Sequence, residues 1–251
     1  MVHLLKYIGG PLKPKEPTVL FIPSGLTSPA VYDGLGIFLP CQSAAIDWLM
    51  SDAPWELDII GRRILDFVKE YDLGPTILCG YSAGGIIAMS AAIADQEGLV
   101  QGLLLSNTGA NTLGHSDPDL PKNIQKSWPD HDLIDRFIKR CFARKCPEAL
   151  YSILYEYAFR VPKEAAYACT ASVRTIDLEP CLKDIQCPVL LAHGKDDQVR
   201  RQCHVDVLKN GIPNIELCYL DGGHTVMVEA HTQYLEKLLY FVSKIFTPKE
   251  K

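Results

Sequence analysis

The stretch Thr76-Ile-Leu-Cys-Gly-Tyr-Ser-Ala-Gly-Gly-Ile-Ile-Ala88 decides the fold. A short apolar run typical of a buried strand meets a run typical of a buried helix at Gly80-Tyr-Ser-Ala-Gly84. A G-x-S-x-G pattern in this context predicts a tight turn that lifts the Ser82 hydroxyl clear of a sheet and sets it at the positive end of a helix. Glycines fit two positions before and after the serine, because side chains there would collide with the backbone. The stretch therefore predicts Ser82 as a nucleophile within an α/β fold.

Strand-like and helix-like segments alternate on both sides of this turn. Strands are predicted at 2–8, 18–22, 43–48, 76–79, 100–106, 188–192 and 215–220, and helices at 57–71, 84–94, 205–210 and 234–246. This alternation indicates a mostly parallel sheet of about six or seven strands that helices cover on both faces.

Between Asn107 and Cys187 the alternation stops. This stretch has helical patterns at 133–146, 147–159 and 162–173 and carries many of the aromatic residues. Its length of about 80 residues greatly exceeds the dozen or so that a crossover needs. The sequence therefore predicts a helical cap, or lid, at 111–180, inserted into a core formed by 1–110 and 181–251. A pair of ordinary crossover helices is the alternative.

A serine hydroxyl becomes a good nucleophile only when a base accepts its proton, so the motif predicts a histidine and an acid later in the chain. Asp197 follows the strand predicted to end at Ala192, and His224 follows the strand predicted to end at Leu220. Because the carboxyl ends of parallel strands share one edge of a sheet, we expect Ser82, Asp197 and His224 to meet there. Asp196 is the rival for the acid.

An acyl-transfer site also needs donors for the oxyanion that forms when serine attacks a carbonyl group. The backbone amide of Ala83, directly after the nucleophile, is one predicted donor. The amide of Leu26, in the loop Pro23-Ser-Gly-Leu26 after the first strong strand, is the other. A plain glycine turn at this loop is the alternative.

Composition excludes several classes of protein. The chain has 251 residues, of which 47% are hydrophobic and 22% are charged, and no fixed period runs through it. These values exclude intrinsic disorder, collagen-like repeats and coiled coil. The net charge is −5 and no basic block is present, so we expect no nucleic-acid partner. A small molecule, largely apolar because the predicted cap is rich in aromatics, is the expected substrate.

The nine cysteines include no CxxC pair, which favours free thiols in a reducing cytoplasm. The amino terminus lacks the apolar core of a secretory signal. The uncharged stretch 73–94 has the length of a membrane span, but the glycine-rich turn at its centre divides it into a strand and a helix. We therefore expect a cytoplasmic protein with no membrane-spanning helix.

The nucleophile turn at 80–84, the acid turn Gly194-Lys-Asp-Asp197 and Gly223-His224 with Glu229 beyond resemble the α/β-hydrolase family. The resemblance covers Thr18 to Phe246 and is to the branch with a serine nucleophile and a helical cap after the sixth core strand. It implies Ser82 as nucleophile, Asp197 as acid, His224 as base, Leu26 and Ala83 as oxyanion donors, and no cofactor.

The chain departs from the family pattern in three places. Ser24-Gly25 stands where the family usually has His-Gly, and the segment 47–55 replaces a glycine-rich loop that commonly follows the next strand. The amino terminus offers one strand where the family often has a hairpin or more. These departures leave open the hydrogen bonds of the oxyanion loop and one wall of the pocket.

The predicted activity is hydrolysis of a carboxylic ester, lactone or thioester through an acyl-serine intermediate. The same three residues also support C–C bond hydrolysis, and some members of the family carry out lyase or cofactor-free oxygenase reactions, because a fold alone does not fix the chemistry. A non-catalytic ligand-binding protein is the alternative outside enzymes. The oligomeric state does not follow from the sequence.

Overall fold

A computed structural model describes residues 5–112 and 117–247 of the chain. Its centre is a seven-stranded sheet with the strand order β1-β3-β2-β4-β5-β6-β7. The strands are β1 (Tyr7–Ile8), β2 (Thr18–Ile22), β3 (Gln42–Ile46), β4 (Thr76–Tyr81), β5 (Val100–Ser106), β6 (Val189–Gly194) and β7 (Ile215–Leu220). The prediction of a mostly parallel sheet of six or seven strands is confirmed.

All neighbouring strands are parallel except β1, which pairs antiparallel with β3. Every residue of β2 and β4 is buried, so both faces of the sheet centre are covered. Of the strand predicted at 2–8, Tyr7–Ile8 form β1, and residues 2–4 lie outside the described part of the chain.

Nine α-helices lie in the described residues. They are α1 (Leu57–Glu70), α2 (Ala83–Ala94), α3 (Leu120–Ser127), α4 (His131–Arg140), α5 (Glu148–Arg160), α6 (Lys163–Thr175), α7 (Gln202–Gly211), α8 (Val226–Glu229) and α9 (His231–Phe246). In α1, Leu57, Ile60, Ile64 and Phe67 are buried at spacings of three or four residues, which places its apolar stripe against the core. Almost all of α2 is buried, as its lack of charged residues predicts.

Helices α3 to α6 form one segment between β5 and β6, and no strand occurs in its described part, 117–180. In this chain the segment follows the fifth strand. The prediction placed this segment after a sixth core strand; the segment follows the fifth because, in the described residues, a single strand, β1, precedes β2.

Helix α4 ends at Arg140, before the predicted end at Cys146. The carbonyl of Cys141 accepts hydrogen bonds from the backbone N–H and the hydroxyl of Thr225. The N–H groups of Ala143 and Arg144 donate to the Glu229 carboxylate, at 3.0 and 2.9 Å. The backbone groups that would otherwise form the next hydrogen bonds of α4 are thus bonded to the core.

Within the described ranges, no helix combines the length and the apolar character that a membrane crossing requires. The stretch 73–94 folds as β4 and most of α2, with the glycine-rich turn between them. All nine cysteines of the sequence lie in the described ranges, and all are free.

Candidate active site

Ser82 lies alone between β4 and α2, with φ 53° and ψ −113°. This left-handed backbone conformation is strained for a residue with a side chain, and it turns the chain sharply from strand to helix. A Cβ atom at Gly80 would lie 2.4 Å from the carbonyl oxygen of Gly84, and one at Gly84 would lie 2.0 Å from the carbonyl oxygen of Ile22. Only glycine therefore fits these two positions.

Three side chains from distant parts of the chain form a hydrogen-bonded series at this turn. His224 Nε2 lies 3.0 Å from Ser82 Oγ, and His224 Nδ1 lies 2.9 Å from Asp197 Oδ2. The side chain of Asp197 is fully buried, and that of His224 is 2% exposed. Asp196, the rival for the acid, is exposed, and its backbone N–H donates to the carbonyl of Gly222.

Both oxygens of the Asp197 carboxylate accept hydrogen bonds. Oδ1 accepts the backbone N–H groups of Val199 and Arg200, at 2.7 and 3.0 Å. Oδ2 accepts from Asn107 Nδ2 at 2.6 Å as well as from His224. Burial raises the pKa of this carboxyl, but the charge of His224 and the hydrogen bonds outweigh burial and lower the pKa to about 2. Asp197 is therefore ionised and fixed in orientation at neutral pH.

Parallel strand ends explain why these residues meet. Ser82 directly follows β4, Asn107 directly follows β5, Asp197 follows β6 by three residues, and His224 follows β7 by four. Because β4 to β7 are adjacent and parallel, their carboxyl ends form one continuous edge. The Ser82 backbone is fixed there by a 2.9 Å bond from its N–H to the carbonyl of Ser106.

Leu26 and Ala83, whose amides are the two predicted oxyanion donors, line the same cavity as Ser82 and His224. Leu26 has φ 56°, and the loop before it is supported by a 3.1 Å bond from Trp48 Nε1 to the carbonyl of Pro23. In the described part of the molecule, neither the Leu26 amide nor the Ala83 amide donates to another protein atom. Both N–H groups are thus available to a ligand.

The cavity beside Ser82 has a volume of about 50 Å³, well below the roughly 300–1,000 Å³ of a typical small-molecule site. Its walls include apolar residues, among them Leu120, Phe137 and Val173. Three arginines also line it: Arg140, Arg174 and Arg200. None of the residues 47–55 lines it. That segment instead supports the neighbouring loop through Trp48 and contacts the helical segment through a 2.5 Å bond from the Tyr157 hydroxyl to Asp47.

A sequence model described as the alpha/beta hydrolase family matches residues 19–237. The chain belongs to the α/β-hydrolase family. This agrees with the sheet order, the turn at Ser82 and the sequence motifs that suggested the resemblance.

Similar members of the α/β-hydrolase family carry several names. The mitochondrial palmitoyl-protein thioesterase ABHD10 of Rattus norvegicus is 28% identical over 207 residues, which are 75% of this chain and 61% of the relative. A putative carbamate hydrolase, RutD, of Agrobacterium fabrum is 25% identical over 194 residues, 71% of each chain. The match to the rat protein thus leaves more than a third of that relative uncovered.

Among solved structures, an esterase from Exiguobacterium antarcticum superposes with a TM-score of 0.81 at 20% sequence identity. The superposition covers 95% of this chain and 94% of the esterase. At this identity the likeness shows the α/β-hydrolase fold over nearly the whole chain.

No role for Asn107 was predicted from the sequence, and Glu229 was placed in the family motif without a role. Asn107 fixes Asp197 and also donates to the carbonyl of Gly223, at 3.1 Å. Glu229 accepts from the N–H of Gly223 at 2.9 Å and so links the His224 loop to the turn after α4. The position of Asn107 directly after β5 was the available signal, because polar residues at strand ends face the site edge.

The residues described here include no group of three or more histidine, cysteine, aspartate or glutamate side chains arranged to hold a metal ion.

Proposed function

We propose that this α/β hydrolase is an enzyme that cleaves a carboxylic ester, lactone or thioester through an acyl-serine intermediate. The observation that carries the proposal is the series Ser82–His224–Asp197, with distances of 3.0 and 2.9 Å. These distances lie in the range needed for proton transfer from a serine to a base that an acid orients.

In the proposed reaction, Ser82 Oγ bonds to the carbonyl carbon while its proton passes to His224 Nε2. The carbonyl oxygen becomes an oxyanion that accepts hydrogen bonds from the amides of Leu26 and Ala83. The bond to the alcohol or thiol then breaks, and His224 returns the proton to the leaving group. Water repeats the sequence on the acyl-serine, which releases the carboxylic acid and restores Ser82.

Asp197 has a positioning role in this proposal. Its oxygens accept four hydrogen bonds, so the carboxylate cannot rotate away from His224. It therefore holds the proton on Nδ1, keeps Nε2 free to accept from Ser82, and stabilises the imidazolium that forms.

We propose that 111–180 acts as a cap over the carboxyl edge of the sheet. Eight residues of its helices and the turn after α4 line the cavity with Ser82: Leu120, Phe137, Arg140, Cys141, Cys169, Thr170, Val173 and Arg174. The small volume and the apolar side chains favour a compact, largely apolar group next to the reacting carbonyl. The long acyl chain implied by the name of the rat relative is a poor fit to this cavity.

The free thiols favour a reducing compartment. We propose the cytoplasm, and the relative named as mitochondrial makes the mitochondrial matrix the location to compare by fractionation.

The nucleophile is tested by reaction with a fluorophosphonate and mapping of the label by mass spectrometry. We expect label on Ser82, none in Ser82→Ala, and undiminished label in Ser24→Ala, which removes a second serine that lines the same cavity. Ser82→Ala should lower turnover by roughly four to six orders of magnitude. Folded wild-type protein that leaves Ser82 unmodified, or a Ser82→Ala variant with full turnover, would refute the proposal.

The bond is identified by a substrate panel. It contains p-nitrophenyl esters of graded acyl length, lactones, acyl thioesters and, because of the relative named as a carbamate hydrolase, aryl carbamates. β-Diketones assayed with and without oxygen report C–C cleavage and oxygenase activity. Label on Ser82 without turnover of any member would favour a ligand-binding protein.

A further inference from the structure

Three arginines line the cavity beside Ser82. Arg140 ends α4, Arg174 lies in the last turn of α6, and Arg200 follows Asp197 by three residues. They come from three different elements, yet their side chains reach one cavity of about 50 Å³.

The three guanidinium groups differ in how many of their N–H donors have a hydrogen-bond partner. Arg174 donates to the carbonyls of Asp117 and Thr170 and so has a structural role. Arg200 is only 1% exposed, and its side chain donates from Nη1 to the carbonyl of Asn111 at 2.7 Å, although a guanidinium has five N–H donors. Its Nε is buried without a partner.

Arg140 is the least satisfied of the three. It makes no side-chain hydrogen bond to the described residues, and its Nε is buried without a partner. Buried donors of a charged group are rarely left unpaired, because their desolvation is unfavourable. A ligand with acceptor oxygens would satisfy them.

The positive charges of the three arginines are not neutralised by ion pairs with carboxylates in the described residues. Over the described ranges, none of the three arginines has a carboxylate within ion-pair distance. The charges that face them are Asp117 near Arg174 and Asp197 near Arg200, and Asp197 already accepts four hydrogen bonds. Burial and the charge of Arg174 lower the pKa of Arg200 to about 10, with Asp197 opposing them, so Arg200 remains a cation at neutral pH.

We propose that the substrate of this site carries a carboxylate, in its acyl or its alcohol part, which binds Arg140 and Arg200. This rests on the proposed function and refines it: the substrate has an apolar portion against Phe137 and Val173 and an anionic group at the arginines. Guanidinium suits a carboxylate because its parallel N–H groups match the two oxygens. A wholly apolar substrate would leave the buried Nε donors of Arg140 and Arg200 without a partner.

The test uses two pairs of esters whose members match in size and differ in charge. One pair is mono-p-nitrophenyl adipate and its terminal amide, which vary the acyl part. The other is 3-carboxyphenyl acetate and 3-carbamoylphenyl acetate, which vary the alcohol part. The kcat/KM of each ester is measured for wild type, Arg140→Gln, Arg140→Lys and the control Arg136→Gln. Arg136 lies one turn earlier in α4, is exposed and does not line the cavity.

Wild type should prefer the carboxylate member of at least one pair by about 10- to 100-fold, the range of a hydrogen bond to a charged group. Arg140→Gln should reduce that ratio to near one, Arg140→Lys should keep much of it, and Arg136→Gln should leave it unchanged. Free adipate should inhibit wild type competitively and Arg140→Gln more weakly. Circular dichroism shows whether each variant is folded.

A ratio near one for both pairs in wild type, or a preference that survives in folded Arg140→Gln, would overturn the inference. Turnover of the neutral esters that depends on Ser82 would then leave the proposed function intact. Wild-type protein that cleaves no member of either pair and no lactone, thioester or other ester of the substrate panel would overturn both.

Discussion

Substitution of Asn107 tests whether its hydrogen bond to Asp197 stabilises the candidate site. Its Nδ2 donates to Asp197 Oδ2 at 2.6 Å and to the carbonyl of Gly223 at 3.1 Å, and the residue is fully buried. The perturbation is a pair of substitutions. Asn107→Ala removes the donor and most of the side chain, whereas Asn107→Asp keeps the shape and replaces the donor with an acceptor. If Asn107 acts by donating to Asp197, the isosteric variant should be the worse of the two.

The magnitudes follow from the contacts. Loss of a hydrogen bond to a charged group costs about 1.5–3 kcal/mol, and φ 47° at this position adds about 1–2 kcal/mol of strain for alanine. Asn107→Ala should therefore lower the free energy of unfolding by about 2.5–5 kcal/mol. In Asn107→Asp, two carboxylates would face each other at 2.6 Å, a repulsion of about 6 kcal/mol at an effective dielectric constant of about 20. This pair should take up a proton, because close carboxylates cannot both ionise.

The assay is urea unfolding of wild type and both variants between pH 8 and pH 5, with kcat/KM for a neutral ester measured alongside. Asn107→Asp should be the least stable and least active at pH 8. Its stability should rise as the pH falls, because its folded state binds a proton that the unfolded state releases. Asn107→Gly separates the strain of the backbone from the loss of the side chain, and Asn123→Ala, at an exposed position of α3, is the surface control.

A result in which Asn107→Asp is more stable and more active than Asn107→Ala across this pH range would refute the reasoning. It would mean that Asn107 fills space beside Asp197 and that the hydrogen bond contributes little. Equal pH dependence of all the variants would refute the predicted proton uptake.

Two further predictions concern Asp197 and Gly84. The folded pKa of Asp197, about 2, lies below its ordinary value of 3.8, so its ionised form contributes about 2 kcal/mol of stability above pH 4 that is lost as the pH falls toward 2. The stability difference between wild type and Asp197→Asn should narrow over that range in acid titrations followed by urea unfolding; a constant difference would contradict it. Gly84→Ala should cost about 3 kcal/mol or more, because its Cβ would lie 2.0 Å from the carbonyl of Ile22. Gly10→Ala, whose Cβ would meet nothing within 4 Å, is the control in thermal unfolding, and equal loss in both variants would count against this explanation.

Structure is most predictable from this sequence where local pattern and tertiary contact agree. The turn at Ser82 is one such place, because glycine at positions 80 and 84 meets a steric demand of the turn itself. Helix positions were predicted less accurately in the helical segment, where α3 was missed and α4 was predicted to run six residues too far. The end of α4 depends on Thr225 and Glu229, which lie more than 80 residues away in the chain.

The residues of the candidate site also fall into those that local pattern predicts and those whose role depends on tertiary contacts. Ser82, Asp197 and His224 were predicted together because each follows a strand, and parallel strands bring their carboxyl ends to one edge. Asn107 also follows a strand, but the need for a donor to Asp197 is visible only when the distance between the two side chains is known. The roles of Leu26 and Ala83, and of 111–180 as a cap, stay predictions that the experiments above address.

The sequence by itself determined the alternation of strands and helices in the sheet domain, the tight turn at Ser82 and the presence of an acid and a base after later strands, because periodicity and steric limits act over a few neighbouring residues. Only the tertiary structure decided which polar groups pair across the sheet edge and that three arginines from separate elements share one cavity with Ser82. Those features depend on the directions of side chains brought together from distant segments. Such directions are fixed by packing of the whole chain rather than by local pattern.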